Sequence, residues 1–536
     1  MAKFNKGTSE KSRKTTNHGW GVAFEISKEM ELYMAVSSYK WKNKFYETLE
    51  EQDKRIFKLA KEVYKTNPHF LAGLTKYMRQ EIGMRTGSLM LSSTFINEWG
   101  KWKLAHNVIK ESIERADEIT EFVWAIAYLK WLSTDNIKKV FNKTVSKWLS
   151  KAFDKFDLYQ ISKYYRRDKK KIKLKDVLRL AYIKWDDTIV SKKDSKDKIT
   201  QEEMIQMVNK DSLPTVNTWE SNLTKIWQKK DITVKEKEKE KAKNWLDMLK
   251  EKKLGVFATL RNLRNMLENE NFNEETFDLF KNFLTNENAI KNSKLFPFRF
   301  FSAYKVLQNS SISNPYVSMT LDVLEEAIDI ASVNVPQFKW VSMLSVDCSG
   351  SMFDSWYDEG IYKDGVSKSV DPFDIASLFA LMLHKHSNDK TIFTWFATDF
   401  DYLSIPKRWN IIEKIKYVSD QAEKKNLWYS TNWYLAIKAL NTDKVYVDRI
   451  FLFTDEEMYG WDINKELSKY RKNINKNVKV YVFNVCGYNT SQFDENDKMT
   501  LRVWGFSEKN FEVINMIENS WELIKMIEKI WKEMEN

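Results

Sequence analysis

Cysteine is nearly absent from this chain. With only Cys348 and Cys486 in 536 residues, no disulfide framework can staple the fold. The five histidines, His18, His69, His106, His384 and His386, offer no spacing for a Cys/His zinc site. The one close pair, His384 and His386, lies two residues apart in a helical pattern, which sends the rings to different faces and reads as two surface histidines. Proline (7) and glycine (14) are also scarce, whereas tryptophan reaches 21, so breakers are few and the elements between them are long. Several tryptophans stand where a turn would favour glycine: Trp20, Trp356, Trp428, Trp461 and Trp504. They read either as a lineage preference for aromatics or as codons rendered here as tryptophan that the source organism reads as glycine. No apolar run approaches the ~18 to 20 residues that span a bilayer. The start, MAKFNKGTSEKSRK, lacks the apolar stretch of a secretory signal, so the expected compartment is the cytoplasm.

What the chain does hold is 43% hydrophobic, 14% aromatic and 30% charged residues. That suffices for packed cores under a charged surface, in two to four units at roughly 100 to 250 residues each. The net charge of +12 is uneven. Residues 338–536 carry 26 Lys and Arg against 30 Asp and Glu, which leaves the basic excess, +16, to the residues before them. A basic excess on one module points to a polyanion such as RNA.

From Phe24 to about Ala331 the pattern is helix after helix. Thr48 and Glu51 form a capping-box sequence before Ile56, Leu59, Ala60, Val63 and Tyr64 at helical spacing, and no fixed-period motif repeats. Stacked pairs of roughly 40 residues, as in HEAT arrays, would give about seven or eight pairs. Two charged stretches interrupt the array. Asp231 to Lys243 alternates in sign and reads as a solvated helix face, whereas Arg166 to Lys175, RRDKKKIKLK, is nearly one-signed.

Near Pro336 the composition shifts to β-rich runs alternating with helical ones, the pattern of a doubly wound α/β sheet. We place the boundary at about residue 337. Strands are expected at Trp340–Val346, Ile392–Phe396, Ile450–Phe453, Val478–Val485 and Leu501–Trp504, and helices at Pro372–His384, Asn432–Leu440 and Trp521–Met534, the last capped by Ser520.

The segment VSMLSVDCSGSM runs a buried-type strand into Asp347, Ser349 and Ser351, spaced D-x-S-x-S. One carboxylate and two hydroxyls are hard donors suited to Mg²⁺, and the turn after a strand is where ligands gather in open α/β sheets. Ser430-Thr431 opens a later helix, and the strand Ile450–Phe453 ends in Thr454-Asp455, so both can reach the same sheet edge. The combination resembles the metal-ion-dependent adhesion site of the von Willebrand factor A domain. The resemblance implies that Asp347, Ser349, Ser351 and Thr431 bind Mg²⁺ directly or through water, with Asp455 behind them, and that the metal's open position takes an acidic side chain of a partner. No second metal cluster and no positioned base stands out, so the chain is not expected to be an enzyme.

Five segments of the helical part, NHGWGVAFEISKEMELY, GMRTGSLML, KDVLRLAYIKW, LGVFATLRNLRNML and FPFRFFSAYKVL, together resemble the TROVE module of the Ro autoantigen family, whose members join a ring of HEAT-like helices to a C-terminal A domain. The fold so implied is a helical-repeat ring at 1–337 followed by a doubly wound A domain at 338–536. The function so implied is that of a monomeric, RNA-binding ring, acting as a ribonucleoprotein in RNA quality control. Its basic hole would receive the single-stranded 3′ end of structured or misfolded RNA, its outer surface a small Y-like RNA, and a possible protein partner is the exoribonuclease polynucleotide phosphorylase. A helical ring lined with Lys and Arg fits that role, since it attracts phosphates without base-specific contacts.

The candidate RNA contacts are Arg79, Arg85, Lys163, Arg166, Arg167, Lys169, Lys170, Lys171, Arg179, Lys184, Arg261, Arg264 and Arg299. Arg299 could equally be a packed arginine stacked on Phe298 or Phe301. Tyr182 stands where the family commonly has histidine, and it can still stack on a base. A second reading, a protein-docking scaffold that uses the metal site and keeps the helices as a spacer, does not account for the +16.

Overall fold

The structure, a computed structural model, describes residues 14–16, 22–39, 48–97, 102–130, 132, 134–165, 173–181, 190, 199–216, 218–293, 295–335, 337, 339–353, 370–387, 389–424, 430–458, 463–488, 491–493, 497, 499–504, 511, 525 and 527–531. Trp20, Trp356, Trp428, Trp461, Ser520 and most of the run Arg166 to Lys175 lie outside them. The chain forms two compact units, one comprising Lys28–Ser37, Glu50–Thr224 and Glu522–Asn536, the other Met1–Ser27, Ser38–Leu49 and Lys225–Trp521.

The first unit is helical. Thr48 immediately precedes the helix Leu49–Thr66, whose buried side chains include Ile56, Leu59, Ala60, Val63 and Tyr64, the stripe expected from the spacing. Asn67 then caps the helix Pro68–Gln80. Its side chain accepts from Phe70 N at 3.1 Å, and Pro68 takes the first turn, where its missing N–H costs nothing. Gly73 in that helix has a specific reason to be glycine: a Cβ there would collide with the backbone oxygen of Ile527. The C-terminal residues therefore pack directly on this helix. Asn67 Nδ2 donates to Glu528 Oε1 at 2.7 Å, and Ile527 and Trp531 are buried.

The second unit joins six further helices, Val234–Lys250, Val256–Leu267, Glu274–Leu284, Glu287–Ser293, Pro297–Gln308 and Tyr316–Ala331, to a six-stranded sheet. The alternating charges of Asp231 to Lys243 lie largely on the first of these helices. It is opened by a capping box between Thr233 and Glu236, and its charges are paired in part with one another, as in Lys241–Glu238. The expected boundary at residue 337 falls between Tyr316–Ala331 and the sheet. Polar interactions cross it, with Lys305 Nζ 2.9 Å from Asp374 and Asn410 Nδ2 donating to Glu325 Oε2 at 2.7 Å.

An antiparallel hairpin, β1 Lys14–Thr16 and β2 Val22–Phe24, precedes the helices. The sheet contains β3 Ser342–Asp347, β4 Thr391–Phe396, β5 Phe400–Tyr402, β6 Arg449–Thr454, β7 Lys479–Asn484 and β8 Thr500–Trp504, in the order β5-β4-β3-β6-β7-β8. All neighbours are parallel except the edge pair β4–β5. Alternate strand residues serve opposite faces. Met343, Ile450, Leu452, Val480 and Val482 pack with Ile437, Leu440, Leu467 and Tyr470 of the helices Tyr434–Thr442 and Ile463–Asn473. On the other face Phe451 stacks on Tyr481 at 4.8 Å, Phe453 on Phe483 at 4.7 Å, and Phe483 meets Phe379 of the helix Pro372–His386. The sheet is thus covered on both sides, as a doubly wound sheet must be.

The expectation for the histidine pair is corrected. His384 and His386 are half-buried, because the last turn of Pro372–His386 packs against the start of β4: His384 Nδ1 lies 2.6 Å from Thr391 Oγ1. Burial holds both imidazoles below their ordinary range.

Candidate functional site

Strand order places the site. The chain leaves β3 toward β4 on one side, and later returns to lay β6 on the other side of β3. The carboxyl ends of β3 and β6 therefore flank the point where the winding reverses, a crevice for ligands in open α/β sheets. Asp347 is the last residue of β3, and Thr454-Asp455 stand at the end of β6.

Both carboxyl groups are completely buried. Asp347 Oδ1 accepts from Ser349 N at 2.9 Å and Oδ2 from Thr454 Oγ1 at 2.6 Å; Asp455 Oδ1 accepts from Glu457 N at 3.0 Å. Ser349 and Ser351 are buried with their hydroxyl oxygens 3.3 Å apart. Burial, and next the charge of Asp455, push Asp347 well above the usual carboxylate range. Asp455 is raised as well, chiefly by burial, with the Ser351 hydroxyl the main opposing influence. Even so, among the described residues Asp455 Oδ2 closes no hydrogen bond of ordinary geometry, and it is sealed from solvent. Two desolvated carboxylates that repel each other, one with an oxygen lacking a partner among the described residues, call for a positive charge.

Thr431 is buried in the loop that crosses the carboxyl end of β4. Asn432 N donates to Ala397 O at 2.8 Å and Asn432 Nδ2 to Thr398 O at 2.9 Å, which ties the loop to the turn beside Asp347, the residue paired with Phe396 across β3–β4. The five expected residues thus gather at neighbouring strand ends. One carboxylate with three hydroxyls, backed by a second carboxylate, is a hard oxygen set that fits a divalent cation keeping several waters.

Two residues of the site were not among the expected donors. Thr454 holds Asp347 and is visible only as the neighbour of Asp455. Glu456 has a left-handed backbone (φ 63°) and a buried carboxylate that accepts from Ser491 Oγ at 2.9 Å and Asn484 Nδ2 at 2.8 Å, with Arg502 Nε 4.0 Å away. These partners fix the loop after β6 and so the aim of Asp455.

The candidate RNA residues divide by what already neutralises them. Arg79 is ion-paired with Glu118 at 2.7 Å and Glu114 at 3.1 Å, with Glu118 fully buried. Arg85 reaches Glu121 at 2.9 Å and Asp117 at 3.5 Å. Both are held as structural ion pairs. Lys163 lies over the rings of Tyr164 and Tyr159, at 5.4 and 5.9 Å. Arg179 is exposed and, among the described residues, donates one long bond, 3.4 Å, to Asn209 Oδ1. Lys175, at the end of the basic run, is paired with Asp211 at 2.7 Å. Arg166, Arg167, Lys169, Lys170, Lys171, Tyr182 and Lys184 lie outside the described residues.

Arg261, Arg264 and Arg299 are brought together. They line one groove of about 360 Å³ between the helices Val256–Leu267 and Pro297–Gln308. Arg299 lies over the ring of Phe257, 5.9 Å from its centroid, rather than over Phe298 or Phe301.

Comparison with known proteins agrees with this architecture. The family model described as the TROVE domain matches residues 213–319, and that described as the Ro60 vWA domain matches residues 342–517. No curated protein matches the chain. Among solved structures the chain is similar to the crystal structure of the RO (RSR) protein of Deinococcus radiodurans, with a TM-score of 0.59 at 17% identity, covering 90% of this chain and 98% of that one. A helical region carrying a TROVE domain, followed by a Ro60-type A domain on a parallel sheet, places the chain in the TROVE/Ro family.

Proposed function

We propose that the chain is a non-enzymatic RNA-binding protein of RNA quality control. It holds structured or misfolded non-coding RNA by a single-stranded 3′ end and a small Y-like RNA at a separate surface, as a cytoplasmic ribonucleoprotein. The observation that carries this reading is the TROVE match over 213–319, the stretch that presents the exposed arginines Arg261, Arg264 and Arg299. The family's RNA binding supplies the class of ligand, and the +16 placed before residue 338 supplies the field.

In the same proposal the strand-end site holds Mg²⁺ through Asp347, Ser349, Ser351 and Thr431, with Asp455 behind. The cation supplies an open position for an acidic side chain of a protein partner, for which an exoribonuclease such as polynucleotide phosphorylase is one candidate. Residues of this chain do the rest: Thr454 and Ser349 orient Asp347, and the Glu456 network holds the loop. No helix among the described residues is long and apolar enough to cross a membrane.

The test is a salt titration of binding to an RNA with a duplex and a single-stranded 3′ tail, against a tail-less control. Tail-dependent binding with a steep salt slope is expected. The variant Lys169→Glu with Lys171→Glu should weaken it, and Asp347→Ala should leave it nearly intact. Weak binding indifferent to the tail would overturn the RNA reading in favour of a protein-docking scaffold.

A further inference from the structure

The groove between Val256–Leu267 and Pro297–Gln308 unites features that sequence spacing scatters over more than forty residues. Phe257, Arg261 and Arg264 recur at i, i+4 and i+7 and therefore share one face of the first helix. From the second helix Arg299 enters the groove, followed one turn later by Ser302 and Ala303, whose short side chains leave the space open. At about 360 Å³ the cavity has room for a small ligand and not for a folded partner.

Phe257 is 51% exposed. A single exposed aromatic is ordinary, but this one stands beside three guanidinium groups. Arg299 lies within cation–π range of its ring. Neither Arg261 nor Arg299 forms an ion pair with a carboxylate among the described residues, and Arg264 has only the partly exposed Glu268, at 2.6 Å on the same helix. The contrast with Arg79 and Arg85, each held by two carboxylates, is what singles out this groove. Among the described residues the charges of Arg261 and Arg299 have no carboxylate counterpart, and about half of the Phe257 side chain is open to solvent.

Resting on the RNA-binding reading above, we propose that this groove is a single-nucleotide subsite for single-stranded RNA, in which a base stacks on Phe257 while Arg261 and Arg299 engage the flanking phosphates. Stacking on a phenyl ring accepts any base, and guanidinium–phosphate pairs carry no sequence information, so the subsite is sequence-tolerant. Specificity resides in strandedness, because a base within a duplex has no free face to offer. Arg264, tethered to Glu268, lies at the margin and contributes less.

The experiment measures binding of the full chain to the tailed and tail-less RNAs by fluorescence anisotropy over a salt series, with thermal melting of each variant to verify folding. Phe257→Ala should weaken binding of the tailed RNA about tenfold without changing the salt slope. Phe257→Tyr should bind like the parent, because it keeps the ring. Arg261→Gln with Arg299→Gln should lower both affinity and salt slope, the slope by about 0.7 for each phosphate no longer neutralised. Parental binding by both Phe257→Ala and the arginine pair would overturn the subsite while leaving the RNA reading intact. Absence of RNA binding by the parent would sink that reading, and the subsite with it. Equal losses on tailed and tail-less RNA would overturn the assignment to a single strand. Weaker binding by the arginine pair with none by Phe257→Ala would mark an anion groove without stacking, suited to an acidic peptide, and would overturn it too.

Discussion

Asp347 and Asp455 put two carboxylates where water cannot reach them, and the chain tolerates this with few donors. The expected consequence is a stability that depends on a cation. Adding Mg²⁺ to the metal-free protein should raise the melting temperature of the sheet unit by a few degrees, since saturation to 100 times Kd contributes about 2.7 kcal/mol. Asp347→Ala and Asp455→Ala should abolish that rise. Asp347→Asn should make the metal-free protein no less stable than the parent, because it removes the repulsion. Calorimetry with and without Mg²⁺ reads all three, and an equal rise in every variant would refute the assignment of the metal to this site. Arg79 makes a different prediction. Arg79→Ala leaves Glu118 buried without its partner and should cost about 3 kcal/mol in urea unfolding. Arg264→Ala breaks a half-exposed pair and should cost under ~1 kcal/mol.

At this scale the meeting of the oxygen donors at neighbouring strand ends was legible in the sequence, and the pairing of the arginines was not. Asp347, Ser349 and Ser351 lie within five residues, and a strand's carboxyl end is itself readable, so spacing and position together disclosed the donors. The fate of an arginine depends on residues far along the chain: Arg79 meets Glu118 39 positions away and Arg85 meets Glu121 36 away. No local pattern separates these from Arg261, and Phe257 carries no signal of its own because a lone phenylalanine at helical spacing reads as core.

Among the elements, the long parallel strands followed from buried apolar runs, with ends displaced by only a residue or two. Expected Ile392–Phe396 is Thr391–Phe396, and expected Ile450–Phe453 is Arg449–Thr454. The edge strand Phe400–Tyr402 is too short to show a period and pairs antiparallel against the pattern. The last helix is more instructive. Its apolar stripe, which includes Ile527 and Trp531, was legible, but what covers the stripe was not, because the partner surface comes from Asn67 and Gly73 near the other end of the chain. Gly73→Ala should drive its methyl into the Ile527 backbone. The expected result is loss of the C-terminal segment's packing and destabilisation by over ~2 kcal/mol, read by urea unfolding and by faster proteolysis after residue 521. Unchanged stability would mean that the segment does not seat against Gly73.

For the molecule as a whole, the proposed reading assigns two kinds of ligand to the two sides of the charge split: a polyanion to the basic helices and a cation to the carboxylates at the strand ends. Binding of tailed RNA should therefore fall steeply with added NaCl, whereas Mg²⁺ stabilisation should hold over the same range, since buried groups are screened far less than exposed ones. Parallel melting and anisotropy series from about 50 to about 300 mM salt, over which the Debye length shortens more than twofold, test this. Parallel decay of both signals would refute the division.

The hydrogen bond from Asn67 to Glu528 joins positions 461 residues apart. During synthesis the helix Pro68–Gln80 leaves the ribosome long before its cover exists, so the first unit to emerge is among the last to be finished. Loop closure over such a span adds little to the equilibrium cost, but it imposes a waiting time in which an apolar face of the helical unit stays bare. Completion of the early unit thereby waits on residues near position 528: a chain cut before them would leave the face around Asn67 and Gly73 uncovered.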